Sequence, residues 1–283
     1  MTKAPDLDVA RHPWNTSFEW EDRSDPATAL TPDDVRAFDE HGFVVVPDLV
    51  DPATIASVRE EIDGYEAEVD ARLRQGSGRF SIAETGAITF TTHLVARSQR
   101  LRALSRQPRI VGICADLIGP DVHLYWDQAV YKKPEKPRRF PWHQDNGYAF
   151  VEPQQYLTVW LALTDATVDN GCPWVVPGLH RLGTLAHTFV DPLGFECLSE
   201  PAGAVAAEVP AGGAVVFSSL TPHLTGPNTT DAVRKAYILQ YAPAGAEVLQ
   251  GDPAAGPPTA RVPANDPARQ YPVLLGGQAV SDR

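Results

Sequence analysis

The first part of the chain has the apolar spacing and the punctuation of helices. Residues 31–41 begin with a capping hydroxyl, a proline in the first turn and two acids near the positive helix end, which predicts a helix ending near His41. The apolar run 43–46 predicts a short strand, and 51–74 predicts a second helix that opens on Asp-Pro. Two further helical segments are predicted within 95–118.

From Asp121 onward the pattern changes to short apolar runs separated by Gly, Pro and Asn, which predicts strands. The predicted strands are 122–132, 139–144, 156–164, 173–176, 204–209, 213–218 and 234–242. In the first of them, Leu124, Trp126, Gln128 and Val130 are predicted to share one side, because side chains in a strand alternate. A series of this kind is typical of a sandwich or a barrel.

Helices followed by strands predict one α+β unit with a mainly β core. We divide the chain into an irregular N-terminal arm (1–30), a single domain (31–245) and a C-terminal tail (246–283) rich in Pro, Ala and Gly. The tail is predicted to be loosely packed. The length of 283 residues does not require a further division.

The composition of the chain excludes some classes of protein and favours others. Hydrophobic residues make up 43% of the chain, and 24 basic against 36 acidic residues give a formal charge of −12, which argues against nucleic acid as a partner. The three cysteines form no C-x-x-C pair, which favours a reduced, cytoplasmic compartment. No signal peptide and no membrane-spanning run is visible. We expect a small-molecule substrate, and the oligomeric state cannot be inferred.

Candidate chemistry begins at His143-Gln144-Asp145. On an extended strand His143 and Asp145 would point to the same face, and a distant His223 would complete two histidines and one carboxylate. That facial set leaves coordination positions open and is typical of non-haem Fe(II) oxygenases. Arg234, eleven positions after His223 (234 − 223), could hold a carboxylate with its two-pronged guanidinium, which suggests 2-oxoglutarate as cosubstrate.

Several blocks in the same order resemble the phytanoyl-CoA dioxygenase (PhyH) family over roughly residues 35–245. The blocks are Phe140-Pro141-Trp142-His143-Gln144-Asp145, Trp160-Leu161-Ala162-Leu163, the run from Asn170-Gly171-Cys172-Pro173-Trp174 to Arg181, and then Phe217, His223, Thr225, Asn228 and Arg234.

The resemblance implies a double-stranded β-helix (jelly roll, cupin-like) with N-terminal helices packed on it, and Fe(II), 2-oxoglutarate and O2 as cofactors. It implies that His143, Asp145 and His223 are the iron ligands and catalytic centre. It further implies that Arg234 binds the far carboxylate of 2-oxoglutarate, helped by Thr225, where relatives often have serine. Gln128 and Trp160 stand where family members contact the cosubstrate.

The expected activity is hydroxylation of an unactivated C–H bond of a small or medium organic metabolite, with release of succinate and CO2. Desaturation, ring closure and epoxidation stay open to the same iron centre, as does a sensor that binds metal and 2-oxoglutarate without turnover. Because Asp145 retains the carboxylate that halogenating relatives lack, halogenation is disfavoured.

Candidate substrate contacts come from three places. The aromatic residues Phe140 and Trp142 precede the metal motif, and Phe80 and His93 lie ahead of the barrel. Lys132 begins the basic cluster 132–139, which is either a solvated loop or an attractor for an anionic substrate.

Overall fold

The computed structural model describes residues 9–23 and 27–281, so parts of the predicted N-terminal arm and the last two residues of the tail lie outside the described residues. Within the described residues, four α-helices occur in the first part of the chain, with short strands between some of them. They are α1 (Pro32–His41), α2 (Pro52–Gln75), α3 (Gln99–Leu104) and α4 (Pro108–Leu117). The predicted capping of α1 is confirmed, because the Thr31 side chain accepts from the Asp34 amide and the Asp34 carboxylate accepts from the Thr31 amide.

Eighteen strands occur within the described residues. They are β1 (Phe43–Val46), β2 (Arg79–Phe80), β3 (Ala83–Glu84), β4 (Ile88–Thr92), β5 (Val122–Lys132), β6 (Val151–Glu152), β7 (Leu157–Ala162), β8 (Pro173–Val175), β9 (Thr188–Val190), β10 (Gly194–Glu196), β11 (Val205–Ala206), β12 (Ala214–Ser218), β13 (His223–Thr225), β14 (Arg234–Pro243), β15 (Glu247–Gln250), β16 (Ala260–Pro263), β17 (Pro272–Leu275) and β18 (Gln278–Ala279). The major sheet has the antiparallel order β1-β12-β7-β14-β5-β4-β3-β2.

Both faces of the major sheet are buried, which explains why its central strands read as continuous apolar runs. On β7 the residues Leu157, Val159 and Leu161 pack against the helices in one core. The alternate residue Trp160 packs on the opposite face in a second core, together with Phe217 and Ile238. The helices therefore cover the outer face of the major sheet, and its inner face is available for a functional site.

A minor sheet of order β11-β8-β13 lies over that inner face. The second core includes Trp160 of β7 and Ile238 of β14 together with Cys172, which directly precedes β8. Two antiparallel sheets facing each other, with helices on the outside of the larger one, form the double-stranded β-helix that the resemblance implies. The expected fold is confirmed.

The tail was predicted to be loosely packed, and this is wrong. The strand β17 pairs with β5 in the major sheet, and β15 pairs with both β6 and β16. Tyr271, Val273 and Leu274 are buried in the outer core. The composition of the tail gave a wrong prediction of its packing. Its apolar residues are few, but they lie where they reach the core. Within the described residues, no helix has the length and hydropathy needed to cross a membrane.

Candidate metal centre

His143 and His223 are joined through their backbones. The amide of His143 donates to the carbonyl of His223 at 2.9 Å, and the amide of His223 donates to the carbonyl of His143 at 2.8 Å. His223 begins β13, whereas His143 forms only an isolated bridge. This exchange of hydrogen bonds brings residues that are eighty positions apart (223 − 143) to adjacent places between the two sheets.

The predicted strand 139–144 is wrong. The segment is paired only at intervals, through the Phe140 amide to the Thr225 carbonyl and through isolated bridges from Trp142 to Leu198 and from His143 to His223. Pro141 between them has no amide hydrogen to donate, so a regular ladder cannot form. Asp145 then begins a short 3-10 turn, Asp145–Gly147. The histidine and the aspartate converge through a turn and not along one extended strand.

The three side chains nevertheless meet. The Nε2 atoms of His143 and His223 each lie 3.8 Å from Oδ1 of Asp145, and the candidate ligand atoms all lie within 4.8 Å of one another. Both histidines are buried. Two imidazoles and one carboxylate at these distances can hold a metal ion on one face and leave its other positions open.

Hydrogen bonds to the backbone orient both imidazoles. Nδ1 of His143 lies 2.9 Å from the carbonyl of Pro141, and Nδ1 of His223 lies 3.0 Å from the carbonyl of Thr221. A carbonyl oxygen only accepts, so each Nδ1 must carry the hydrogen and each Nε2 keeps a free lone pair. The outer partner thus fixes the tautomer that a metal requires.

Burial sets the charge of the site. Desolvation lowers the pKa of His143 to about 3 and that of His223 to about 4, so both imidazoles are neutral at pH 7. Desolvation also raises the pKa of Asp145, whose Oδ2 accepts a hydrogen bond from the Thr158 hydroxyl. Gln240 donates in turn to the Thr158 hydroxyl at 3.4 Å. Oδ1 is left facing the two histidines.

Arg234 is the largest polar group buried beside this cluster. Its side chain is 1% exposed, and none of its three guanidinium nitrogens has a hydrogen-bonding partner among the described residues. The guanidinium carbon lies 4.9 Å from the ring centre of Trp160, and burial lowers the pKa of Arg234 to about 9. A buried guanidinium without an anion is costly, so this position fits a ligand carboxylate.

A small cavity extends from the metal cluster to Trp160, the residue whose ring Arg234 faces. The sequence-predicted residues Gln128, Trp160 and Thr225 line it together with His143, Asp145 and His223. Gln128 and Trp160 flank Ile238 on neighbouring strands, since Ile238 pairs with both of them. The buried unpaired guanidinium and this lining fit a 2-oxoglutarate molecule that reaches the metal.

A larger cavity of about 510 Å³ opens beside His143 and Asp145. Of the candidate substrate contacts, it includes Phe80 and Phe140. Trp142 instead packs in an apolar cluster with Val176 and Leu179. His93 is outside the lining and packs edge to face against Trp126, which does line the cavity, at 4.4 Å between ring centres.

Lys132 does not reach either cavity. Its Nζ donates to the carbonyls of Arg138, Thr225 and Gly226, and the side chain is buried. Burial and the neighbouring Arg234 hold the pKa of Lys132 well below its usual range. The ammonium holds the loop before the metal motif against the strand that carries Thr225.

The rest of the basic cluster is paired with acids. Lys133 lies 2.9 Å from both Glu66 and Asp70, Lys136 and Arg138 share Glu84, and Arg139 pairs with Glu196 at 2.7 Å. The interpretation of this cluster as a docking patch for an anionic substrate loses its basis, because its charges are already offset by acids of the same chain.

Four side chains of the site were missed from the sequence. Thr158 and Gln240 could have been found from strand alternation, since they lie two positions before Trp160 and six after Arg234. Tyr156, which lines the larger cavity, could have been found in the same way, because it lies four positions before Trp160. Tyr125 lines the same cavity but could not have been found, because a β-bulge determines its position. Trp126 pairs with Gln240 and Leu124 with Tyr241, so Tyr125 is the extra residue.

The same bulge corrects the predicted alternation of β5. Trp126 and Gln128 face the cavity as expected, and Val130 packs in the inner core. Leu124 was predicted to share their side, but it packs in the outer core under the helices. A single extra residue shifts the phase of the strand, which an unbroken period of two cannot anticipate.

The jelly roll, the facial set of two histidines and a carboxylate, and the buried unpaired arginine define the iron(II)- and 2-oxoglutarate-dependent dioxygenases, a class of oxidoreductases. Comparison with known proteins agrees with this class. The chain belongs to the phytanoyl-CoA dioxygenase (PhyH) family, whose sequence profile matches residues 38–236.

Individual relatives are distant. A methylphosphonate hydroxylase of Gimesia maris is 26% identical over 227 residues, covering 76% of this chain and 81% of its own. The solved structure of EvdO2 from Micromonospora carbonacea var. aurantiaca, complexed with 2-oxoglutarate, is 25% identical, with a TM-score of 0.60 over 78% of this chain and 94% of its own. The carbocyclase SnoK from nogalamycin biosynthesis is similar in fold, with a TM-score of 0.67, 22% identity and coverage of 88% and 99%.

Proposed function

We propose that this protein hydroxylates an unactivated C–H bond of a small or medium organic metabolite and converts 2-oxoglutarate and O2 to succinate and CO2. The observation that carries the proposal is the buried guanidinium of Arg234, which lacks a partner among the described residues and faces Trp160, a wall of the small cavity at the metal cluster. A metal-binding site of another kind would not need an unpaired arginine in a dry interior.

His143, Asp145 and His223 would hold Fe(II) through Nε2, Oδ1 and Nε2. The imidazoles need no proton release to bind, because burial already keeps them neutral and their Nδ1 hydrogens are held by carbonyls. The Thr158 hydroxyl would keep Asp145 from rotating by bonding to Oδ2. When bound, iron and 2-oxoglutarate together supply the oxidising power for attack on a C–H bond.

Arg234 would bind the far carboxylate of 2-oxoglutarate, and Trp160 would form the wall beside the carbon chain. Thr225 and Gln128 line the same small cavity and supply polar contacts. Both cavities include His143 and Asp145, so the substrate in the larger cavity would meet the metal from a different direction than the cosubstrate. Apolar walls would exclude water from the reacting centre.

Hydroxylation is the default outcome of such a centre. The name of the Gimesia maris relative, a methylphosphonate hydroxylase, supports this outcome. The alternatives to hydroxylation are a sensor, desaturation, ring closure and epoxidation. Product analysis distinguishes them, because each would give a different product or none. A sensor would bind 2-oxoglutarate without forming succinate.

The test is reconstitution of the purified protein with Fe(II), 2-oxoglutarate and O2, followed by quantification of succinate. Slow succinate formation is expected even without substrate, and His143→Ala and Asp145→Ala should abolish it. Trp142→Phe is a matched control, because Trp142 is next to the motif but packs away from the cavities. Binding of 2-oxoglutarate without any succinate would support the sensor and contradict the proposal.

A further inference from the structure

The walls of the larger cavity are aromatic and almost without charge. Seven of its sixteen lining residues are Phe, Tyr or Trp, and Phe90, Trp126 and Phe140 surround the approach to His143. The one charged side chain in the lining is Asp145, which faces the metal cluster. A volume of about 510 Å³ is in the range of small-molecule sites, and aromatic walls suit a molecule that carries rings.

Cations near the mouth are engaged elsewhere. Arg79, next to the lining residue Phe80, pairs with Asp191. Arg138 donates to the carbonyl of Ile82 at 2.7 Å and pairs with Glu84. Arg269, which acts electrostatically on the lining residue Tyr125, pairs with Asp266 at 2.9 Å. An anionic substrate would therefore enter a largely aromatic cavity whose neighbouring cations are already paired, which is unfavourable.

Two phenol groups in the cavity lack protein partners. Tyr125 and Tyr156 are 7% and 3% exposed, line the cavity and pack edge to face with ring centres 5.5 Å apart. Among the described residues, neither hydroxyl makes a hydrogen bond. Burial raises the pKa of Tyr125 to about 12, so it remains a neutral donor at pH 7. Neither hydroxyl oxygen is among the buried atoms that lack a partner, so both keep contact with the open space of the cavity, where a ligand oxygen can accept their hydrogens.

We propose that the substrate is an uncharged, ring-bearing molecule with a carbonyl or hydroxyl oxygen, which Tyr125 and Tyr156 bind by hydrogen bonds while the aromatic walls bind its rings. The inference rests on the proposed function in one respect only, namely that this cavity is the one that delivers a C–H bond to the metal cluster. Tyr125 and Tyr156 are then specificity-determining residues.

The charge and oxygen requirements can be tested with four probes that share one bicyclic skeleton. They are α-tetralone (a neutral ketone), tetralin (no oxygen), α-tetralin carboxylate (an anion) and α-aminotetralin (a cation). Calorimetric binding to the protein loaded with Fe(II) and 2-oxoglutarate under anaerobic conditions is the measurement. Tetralone should bind at least about tenfold more tightly than the carboxylate, whose charge would be buried without a partner. It should also bind more tightly than the amine, for which the aromatic walls offer only cation–π contacts in place of hydration.

The two phenols are tested by Tyr125→Phe and Tyr156→Phe. Each should weaken tetralone about five- to tenfold and leave tetralin unchanged, because only a hydrogen bond is lost. Tyr65→Phe is the matched control, since the Tyr65 hydroxyl bonds to the Arg97 carbonyl at an exposed position outside the cavity. Equal loss of tetralone and tetralin would point to a packing defect and would overturn the assignment of the hydroxyls.

Failure of this inference is distinct from failure of the proposed function. Tight binding of the carboxylate or the amine, or no binding of tetralone, would overturn the substrate class while succinate formation still supported the oxygenase. Blocking the cavity with Ala149→Trp should abolish tetralone binding, because Ala149 lines the larger cavity. Tetralone binding that survived this block would contradict the location of the site.

Discussion

His143 and His223 exchange both of their main-chain hydrogen bonds, at 2.9 and 2.8 Å. The backbone alone therefore holds the two residues side by side, whatever their side chains do. The ring centres lie 4.1 Å apart. Because the backbone makes the pairing, removal of one imidazole should leave the other in position. Two of the proposed ligands are thus positioned before a metal binds, which is the preorganisation that functional sites need.

His143→Ala should therefore separate metal binding from folding. We expect the metal-free variant to unfold within a few degrees of the wild type, since both backbone hydrogen bonds survive. The rise in melting temperature on addition of Fe(II) should disappear, because binding energy adds to stability only where the ligands are complete. Thermal melting with and without metal measures both quantities. A large loss of stability in the metal-free variant would show that the imidazole itself supports the fold.

Arg234→Met should stabilise the metal-free protein while it impairs cosubstrate binding. The guanidinium is buried without a partner among the described residues, so its replacement by an apolar side chain should add about 1–3 kcal/mol to the free energy of unfolding. The same change should raise the KM for 2-oxoglutarate at least about a hundredfold, because a charge-assisted two-pronged contact is lost. Urea unfolding and succinate kinetics are the measurements.

Lys235→Met is the matched control for that experiment. Lys235 is the next residue on β14, but its ammonium pairs with Asp63 at 2.7 Å. Its removal should reduce stability slightly and leave the KM for 2-oxoglutarate unchanged. If Arg234→Met destabilised the protein as well, the guanidinium would have a stabilising partner of its own.

Thr158→Val should weaken metal binding without removing a ligand. The hydroxyl donates to Oδ2 of Asp145, and its loss frees the carboxylate to rotate away from the histidines. Outer partners of this kind are worth about 10–100-fold in metal affinity. Competition with a chelator measures the change. Thr158→Ser should restore most of the affinity, and Thr164→Val, which removes a hydroxyl bonded to the Lys235 amide, should have no effect on it.

Lys133→Glu tests whether the basic cluster serves the substrate or the fold. Lys133 lies 2.9 Å from Glu66 and from Asp70, with a side chain only 9% exposed. A third acid there should reduce the free energy of unfolding by about 3–5 kcal/mol. The KM for the substrate should show no added dependence on salt. A salt-sensitive rise in KM with unchanged stability would instead restore the docking interpretation.

Acid should destabilise the protein partly through His180. Burial lowers the pKa of His180 from 6.5 to about 4, and its Nε2 lies 3.2 Å from the Asp39 carbonyl. Above pH 6.5 the residue is neutral in both states. As the pH falls from 6.5 to 4 only the unfolded state gains the proton, so stability declines by up to about 3 kcal/mol.

His180→Phe should flatten this part of the pH profile, whatever its effect at pH 7. Urea unfolding of both proteins at several pH values between 4 and 7 gives the comparison. An unchanged slope in the variant would assign the acid sensitivity to other groups. His180 lines neither cavity, and its ring packs edge to face against Trp20.

The sequence predicted the fold and the chemistry of the centre better than its local geometry. Several family motifs in one order predicted the jelly roll. The residue types and their spacing predicted that His143, Asp145, His223 and Arg234 belong to one site. The strand assumed for His143 and Asp145 was wrong because Pro141 interrupts pairing. The roles of Lys132 and of the tail were also misjudged, since a partner such as the Thr225 carbonyl is known only once distant segments have packed.

The bulge at Tyr125 has a consequence for how this cavity can change over evolutionary time. With Tyr125 deleted, Leu124 and Trp126 would become neighbours and would keep the opposite faces that they occupy now, opposite Tyr241 and Gln240. The residue can thus be lost or gained without disturbing the rest of the sheet. A single-codon insertion or deletion at this point could alter which molecules the protein accepts while its iron chemistry stays the same.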